Sequence, residues 1–278
     1  MLYLILAIIS SAMIAIVMRL SGGKVRGRLT MLAVNYLTCL LLAGAHTGLE
    51  NIFPAGVSLA GTLGLGAVNG FLYLMGFVLL QVNIRKNGVV LSSVFMKLGL
   101  LVPMAVSVLF FGELPGPLQL AGFLLAVTAI VLINTGGDEA ATTFRLGLIL
   151  LLLAGGGGDA MAKIFEELGN GALTEQYLFY SFLTAFALCG VLAAGKRETP
   201  GKWELLFGLL VGIPNYYSAR FLLRAVERLD GVLVYPTYSV ATMLAVTVAG
   251  VCFFRERLQK KQWLALGIIL AALALLNL

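Results

Sequence analysis

Residues 88–134 read GVVLSSVFMKLGLLVPMAVSVLFFGELPGPLQLAGFLLAVTAIVLIN, two apolar runs joined by a short turn rich in Gly and Pro. The same arrangement returns at residues 231–277, where a long run leads through FFRERLQKKQ into a last apolar run. Polar residues at turns and helix ends align between the two copies, namely Glu113 with Glu256, Gln119 with Gln262 and Asn134 with Asn277. Because polar matches are rare in so apolar a chain, the sequence predicts two copies of one structural unit.

The composition indicates a membrane protein. Of the 278 residues, 60% are hydrophobic and only 12% are charged, too few polar residues to cover a soluble core of this size. The formal net charge of +6 is concentrated in loops, which indicates membrane orientation rather than nucleic-acid binding. The cysteines lie within apolar runs and predict neither a disulfide framework nor a metal cluster. Residues 1–20 are expected to form a first spanning helix rather than a cleaved signal.

The apolar runs are long enough to cross a bilayer, which takes about 20 residues per helix. Ten such segments are predicted, at residues 2–20, 29–45, 57–82, 88–111, 117–134, 146–166, 173–194, 203–224, 232–254 and 262–278. Each copy then has an odd number of helices, so the second copy enters the membrane from the opposite face. We therefore expect one all-α membrane domain made of two inverted five-helix repeats, 1–139 and 140–278, joined by a polar linker at 135–145.

Lys and Arg are distributed unevenly between the loops. Of the 19, 14 fall in the loops that follow odd-numbered helices, 3 in the opposite loops, and 2, Lys97 and Arg220, inside predicted helices. The positive-inside rule places those loops in the cytoplasm. The expected location is the cell membrane, with both termini extracytoplasmic.

The repeated pattern resembles the drug/metabolite transporter (DMT) superfamily, in its ten-helix EamA-type branch. The resemblance is carried by the Phe-Phe-x-Glu turns followed by Gln and a Gly- or Ala-rich final helix, at 110–122 and 253–265, and by Pro103. It implies a secondary transporter whose cavity is lined by helices 1, 3 and 4 and their mates 6, 8 and 9, with helices 5 and 10 peripheral. It also implies cytoplasmic termini, against the charge distribution, and it gives no substrate.

Charged residues inside predicted helices are candidates for function, because a charge near the bilayer centre needs a partner or a wet cavity. Lys97 and Arg220 are candidate anchors for an anionic substrate group. Their structural alternatives are bonds to helix carbonyls or a carboxylate for Lys97 and snorkelling to the headgroups for Arg220. Asp159 and Lys163 share a helical face and are the candidates for ion coupling. Their alternative is an internal Asp159–Lys163 ion pair.

Four consecutive glycines, residues 155–158, precede Asp159. Each weakens a helix by roughly 1 kcal/mol relative to alanine. Such a run allows either close approach of a neighbouring backbone or a break that exposes carbonyl groups.

A polar stripe on the ninth predicted helix is expected to line the substrate pathway, and it consists of Tyr235, Tyr238, Ser239 and Thr242. By repeat alignment the corresponding cavity face of the fourth helix is Ser92, Phe95, Met96 and Gly99, with Lys97 at its edge. The other candidate substrate contacts are Tyr73, Tyr216, Asn69 and Asn215. For the two asparagines the alternative is hydrogen bonding between helices.

These features favour a gradient-driven transporter of a small amphipathic, anionic or zwitterionic metabolite such as an amino acid, with proton coupling as the candidate drive. Two alternatives remain, a flippase for lipid or lipid-linked head groups and a non-transporting membrane scaffold or sensor. No enzymatic activity, cofactor or metal is expected. The expected partners are a small-molecule substrate and membrane lipids, without nucleic acid, for a monomer or a homodimer. Glu113 and Glu256 are interpreted as turn and cap residues.

Overall fold

The computed structural model describes residues 1–54, 58–87, 92, 95–96, 98–134, 145–254 and 260–277. Over these residues the chain forms helices and no strands. The α-helices are α1 (Leu2–Ser21), α2 (Arg28–Thr47), α3 (Ala60–Asn87), α4 (Leu101–Phe111), α5 (Pro117–Asn134), α6 (Arg145–Leu168), α7 (Thr174–Gly195), α8 (Lys202–Val226), α9 (Gly231–Phe254) and α10 (Lys260–Leu276). Short 3-10 turns lie at Leu49–Asn51, Leu98–Leu100 and Gly171–Leu173.

Within the described ranges, six helices are long and apolar enough to cross a membrane, namely α1, α2, α3, α6, α7 and α9. The described parts of α4, α5 and α10 are shorter apolar helices. Helix α8 belongs to neither group, and it carries polar residues such as Asn215 and Arg220 along its length. The chain is therefore a multi-pass all-α membrane protein, while the count of ten spans stays a prediction.

The extensive helix–helix interfaces join a helix before residue 135 to a helix after residue 144. Helix α1 packs against α8 and α9, α2 against α7 and α8, α3 against α6 and α7, α4 against α6, and α5 against α10. The larger hydrophobic cluster is built around buried aromatic residues such as Tyr36, Phe182 and Tyr216. The smaller cluster joins α5 and α10 to parts of α4 and α9.

Small residues hold α5 and α10 together. Gly122 of α5 lies against the carbonyl oxygen of Ala272 and the side chains of Leu275 and Leu276 on α10. Ala126 and Ala129, on the same helix, are fully buried. Close packing of small residues is a general way to associate helices in a membrane, and here it is used within one chain.

The start of α2 is bonded by two glutamates from a distant part of the chain. Glu198 accepts the backbone N–H groups of Leu29 and Thr30, both at 3.0 Å. Glu204 accepts those of Arg26 and Gly27, at 2.8 and 3.1 Å. Carboxylates at a helix N-terminus satisfy its unpaired donors and its dipole, so these contacts fix α2 on α7 and α8.

The predicted continuous fourth helix is interrupted in the structure. A 3-10 turn at Leu98–Leu100 precedes α4, which begins at Leu101. Pro103 explains the interruption, because it has no N–H to donate to the carbonyl four residues earlier and its ring crowds that carbonyl. The other end agrees with the sequence: Gly112 ends α4 with a left-handed φ of 68°, and Pro117 begins α5.

The glycine run of α6 supports close packing, not a break. Helix α6 continues through residues 155–158 without interruption. A methyl group on Gly156 would clash with the carbonyl oxygen of Gly99 and would lie 2.8 Å from Cβ of Val102. The absence of side chains therefore lets α4 cross α6 at backbone contact.

Candidate functional site

A cavity of about 300 Å³ lies between helices of both halves of the chain. Helices α3, α6 and α9 supply most of its wall, and α1, α2 and the approach to α4 supply the rest. Its lining comprises Ser11, Tyr36, Leu72, Tyr73, Gly76, Phe77, Leu80, Met96, Leu100, Ala154, Gly155, Asp159, Tyr238, Ser239 and Thr242. The wall thus combines one carboxylate with hydroxyl groups and aromatic rings.

The polar stripe of α9 lies partly in the wall of this cavity. Tyr238, Ser239 and Thr242 line the cavity. The hydroxyl group of Tyr238 is 3.0 Å from that of Ser218 on α8. Tyr235, one turn closer to the start of α9, is 1% exposed and does not reach the lining. Three of the four residues of the stripe therefore line the cavity, and the first one does not.

Thr242 is a buried hydroxyl that needs a partner. Its side chain is 4% exposed, and its Oγ1 has no hydrogen-bond partner in the part of the chain that the structure describes. Leaving a buried hydroxyl unsatisfied costs about 1–3 kcal/mol. Because Thr242 lines the cavity, a bound solute or water molecule there would satisfy it.

Asp159 supplies the carboxylate of the cavity wall. It lies on α6, half-buried, one helical turn beyond Gly155, which also lines the cavity. Tyr73 of α3 and Tyr238 of α9 line the same space. The structure therefore brings together three predicted site residues from three different helices.

Lys163 does not form the ion pair with Asp159 that the sequence analysis gives as the structural alternative. Its Nζ lies 2.8 Å from Glu113, 2.6 Å from Glu166 and 2.6 Å from Glu167. The lysine side chain is only 4% exposed. We call these four residues the Lys163 cluster. The three carboxylates surround the amino group of Lys163, which is not part of the cavity lining.

Glu113 is a cap residue, as predicted, but the helix it caps lies far along the chain. Its second carboxylate oxygen accepts the N–H group of Val232 at 3.1 Å, in the first turn of α9. Gly231 of α9 packs directly on the hydroxyl group of Ser107 and lies close to Tyr235. Glu113 therefore ties the end of α4 to α6 and α9 at one face of the protein. Glu256, its counterpart in the predicted second repeat, lies outside the described residues.

Arg220 and Tyr216 also turn to a carboxylate outside the cavity. Arg220 bonds to Glu175 of α7 through Nη2 at 2.6 Å and Nε at 3.0 Å. Tyr216 donates its hydroxyl proton to the same carboxylate at 3.3 Å. Arg224 lies 3.6 Å from it. Helix α8 therefore contributes an ion-pair group rather than cavity lining, whereas the resemblance places it at the cavity.

The two predicted asparagines bond between helices. Asn69 of α3 donates to Ser181 of α7 at 3.2 Å, and Asn215 of α8 donates to Asn35 of α2 at 3.1 Å. This is the arrangement given as the alternative to substrate contact. Neither asparagine is among the residues that line the cavity.

Lys97 lies outside the described residues. Around it, Met96 lines the cavity and Ser92 is fully buried. Gly99, predicted by symmetry to face the cavity, packs instead on α6, where a methyl group on it would lie 3.0 Å from the backbone N of Gly156. Gly99 does not face the cavity as the repeat alignment predicts, because the 3-10 turn at Leu98–Leu100 changes the helical register there.

Sequence reasoning missed several lining residues. Ser11 had a signal, because it belongs to a pair of serines in an otherwise apolar first helix. Tyr36 gave only a weak signal. Phe77 and Gly76 gave none, since neither residue type in a membrane helix distinguishes a cavity from lipid or a helix contact. Among the described residues, no three His, Cys, Asp or Glu side chains converge on a metal site.

The fold and the cavity define a class, a multi-pass helical membrane protein with a solute-sized cavity between its two halves. Residues 145–278 match the model of the EamA-like transporter family. This match, over the second half of the chain, confirms the resemblance to the drug/metabolite transporter superfamily drawn from the sequence.

Two further comparisons cover nearly the whole chain. An uncharacterised protein of Haemophilus influenzae is 24% identical over 281 residues, which are 97% of this chain and 95% of that protein. A solved crystal structure shares the fold with a TM-score of 0.77 at 16% identity, covering 99% of this chain and 96% of the other. At that identity the likeness concerns the fold alone.

Proposed function

We propose that the protein is a secondary active transporter that moves a small amphipathic metabolite, such as an amino acid, across the cell membrane by alternating access. The observation that carries this proposal is the cavity of about 300 Å³ between the two halves. Its wall holds a carboxylate and a hydroxyl group that has no partner among the described residues. Binding sites for small molecules range from about 300 to 1,000 Å³, so this cavity suits a small solute.

The chemistry of the wall favours a zwitterion over a simple anion. Asp159 would repel a solute that carries only negative charge and would attract an ammonium group. Tyr36, Tyr73 and Tyr238 add rings and hydroxyl groups beside it, and aromatic faces also attract ammonium groups. In this proposal Asp159 holds a proton and the ammonium group of the substrate in turn, which couples transport to the proton gradient.

The packing supports two related repeats of five helices, which the odd number of helices in each would invert. In two such repeats, helices α1–α5 correspond in order to helices α6–α10. The contact of α1 with α8 then corresponds to the contact of α6 with α3. The contact of α2 with α8 likewise corresponds to that of α7 with α3, and that of α1 with α9 to that of α6 with α4. All of these contacts are present. Transporters built this way work by rocking one unit against the other around a central site.

In this proposal, contacts at one face of the protein close one end of the pathway. The Lys163 cluster, the bond from Val232 to Glu113 and the contact of Gly231 with Ser107 join three helices there. Tyr235, three residues before Tyr238 of the cavity wall, is buried and does not line the cavity. Alternating access requires these contacts to separate, so we propose that the Lys163 cluster forms the gate on this face.

The orientation of the chain is part of the proposal. Lys and Arg predominate in the loops that follow odd-numbered predicted helices, which supports extracytoplasmic termini. A C-terminal fusion to alkaline phosphatase should then be active, and a C-terminal fusion to green fluorescent protein should be dark. Fluorescence from the second fusion, without phosphatase activity from the first, would reverse the orientation.

Uptake by the purified protein in proteoliposomes tests the proposed transport. We expect time-dependent accumulation of at least one radiolabelled amino acid, several times greater with an imposed pH gradient than without it, because a proton drives the cycle. Liposomes without protein, and liposomes treated with a protonophore, are the controls. Equal uptake in protein-containing and protein-free liposomes for the whole set of amino acids and organic anions would contradict the proposal.

A further inference from the structure

The glycine run of α6 faces three different surroundings. Gly156 contacts the backbone of Gly99 near the start of α4. Methyl groups on Gly157 and Gly158 would lie 3.4 and 3.2 Å from side chains of α3, those of Leu72 and Tyr73 respectively. A methyl group on Gly155 would meet nothing within 4 Å, and Gly155 lines the cavity. Close packing therefore explains Gly156 and Gly158 but requires glycine at neither Gly155 nor Gly157, and of these two only Gly155 lines the cavity.

A second glycine lies next to Gly155 in the cavity wall. Gly76 of α3 also lines the cavity, and a methyl group on it would lie 3.7 Å from the backbone N and Cα of Gly155. At this place the wall consists of two bare backbones. Asp159 follows Gly155 by four residues and so lies on the same face of α6, about 5–6 Å away between Cβ positions. The bare wall is therefore one helical turn from the carboxylate.

Thr242 gives independent evidence that this cavity takes a ligand. Its hydroxyl group lines the cavity, is buried, and has no hydrogen-bond partner among the described residues. A buried hydroxyl group without a partner in the described part of the chain favours a bound solute or water molecule as its partner. The bare wall and Thr242 belong to the same cavity.

We propose that Gly155 and Gly76 set the size limit of the substrate, by making room for its apolar side group one helical turn from the ammonium group held at Asp159. This inference rests on the proposed transport function. It predicts that side chains added at these two positions exclude large substrates and still admit small ones. It also predicts that Thr242 contributes a hydrogen bond to substrates of every size.

The test measures uptake of radiolabelled alanine, leucine and phenylalanine by the wild type and by Gly155→Ala, Gly155→Leu and Gly76→Ala variants in proteoliposomes. Gly155→Leu should lower uptake of leucine and phenylalanine about tenfold or more, equivalent to about 1.4 kcal/mol, and should leave alanine within about twofold. The two alanine variants should lower only phenylalanine uptake. A Thr242→Val variant should lower uptake of all three.

Gly64→Leu is the matched control, because Gly64 also lies on a membrane helix with nothing within 4 Å of an added methyl group, yet it is exposed on the outer surface. It should behave as the wild type. Thermal unfolding in detergent checks that each variant is folded. An equal loss for all three amino acids in the Gly155 variants, or no loss, would overturn the size limit while wild-type uptake still supports transport. Absence of wild-type uptake would overturn both.

Discussion

Replacing Asp159 by asparagine should abolish stimulation of uptake by a pH gradient. Asparagine keeps the shape of the side chain but can neither bind a proton nor attract an ammonium group. Hydrogen bonds to a charged group contribute about 1.5–3 kcal/mol, so gradient-driven uptake should fall about 10- to 100-fold. The measurement compares initial rates in proteoliposomes with and without the gradient, using an amino acid that the wild type takes up.

Asp230→Asn is the matched control for this experiment. Asp230 is exposed in the loop before α9, away from the cavity lining, and it contributes backbone carbonyl bonds to the first turn of that helix. Its variant should retain the wild-type response to the gradient. If the Asp159 variant responds to the gradient as strongly as the wild type, Asp159 has no role in coupling.

Replacing Lys163 by methionine should be the most destabilising single change in the Lys163 cluster. Methionine keeps the apolar stem but leaves Glu113, Glu166 and Glu167 around a position without positive charge. Lys163 is only 4% exposed, whereas Glu166 and Glu167 are 25% and 36% exposed. The loss should therefore be smaller than the about 3–5 kcal/mol that removing one partner of a fully buried ion pair costs. We expect a lowered midpoint of thermal unfolding in detergent, measured by loss of the monodisperse peak in size-exclusion chromatography.

Two comparisons separate the charge effect from the effect of any lysine change. Lys196→Met alters an exposed lysine after α7 and should change the free energy of unfolding by no more than about 0.5 kcal/mol. Glu113→Gln removes one of three carboxylates, so adding it to Lys163→Met should restore part of the loss. An identical midpoint for Lys163→Met and Lys196→Met would show that the Lys163 cluster does not stabilise the fold.

The parts of the fold that depend on local chemistry could be predicted from the sequence. Gly112 ends α4 in the left-handed region and Pro117 begins α5, because these residue types have strong conformational preferences. Helical spacing alone predicts the polar stripe of α9, and three of its four residues line the cavity. In both cases the information lies within a few residues of sequence.

Partners from distant parts of the chain could not be predicted. Arg220 is recognisable as a deep cation, yet its partner Glu175 lies 45 residues earlier and carries no signal that links the two. Helical spacing pairs Lys163 with Asp159 on its own helix, although Glu166 and Glu167 are equally near in sequence. Packing decides which neighbouring helix each face of α6 contacts. A rotation of α6 by one residue, about 100°, would give its side chains different partners.

The glycine run shows the same limit within four residues. The sequence allows close packing or a break, and the structure has an unbroken helix with backbone contact at Gly156. Nothing in GGGG distinguishes Gly156, where a methyl group would clash, from Gly155, where there is open space. The neighbours that make the difference, Gly99 and Gly76, belong to other parts of the chain.

The interfaces between the halves have a consequence for biosynthesis. The ribosome delivers α1–α5 to the membrane first, and N-terminal segments begin to fold during synthesis. At that stage Asn35 and Asn69 lack the partners on α8 and α7 that they have in the finished protein, and the start of α2 lacks Glu198 and Glu204. The first half must therefore leave these polar groups without their final partners until the second half is synthesised.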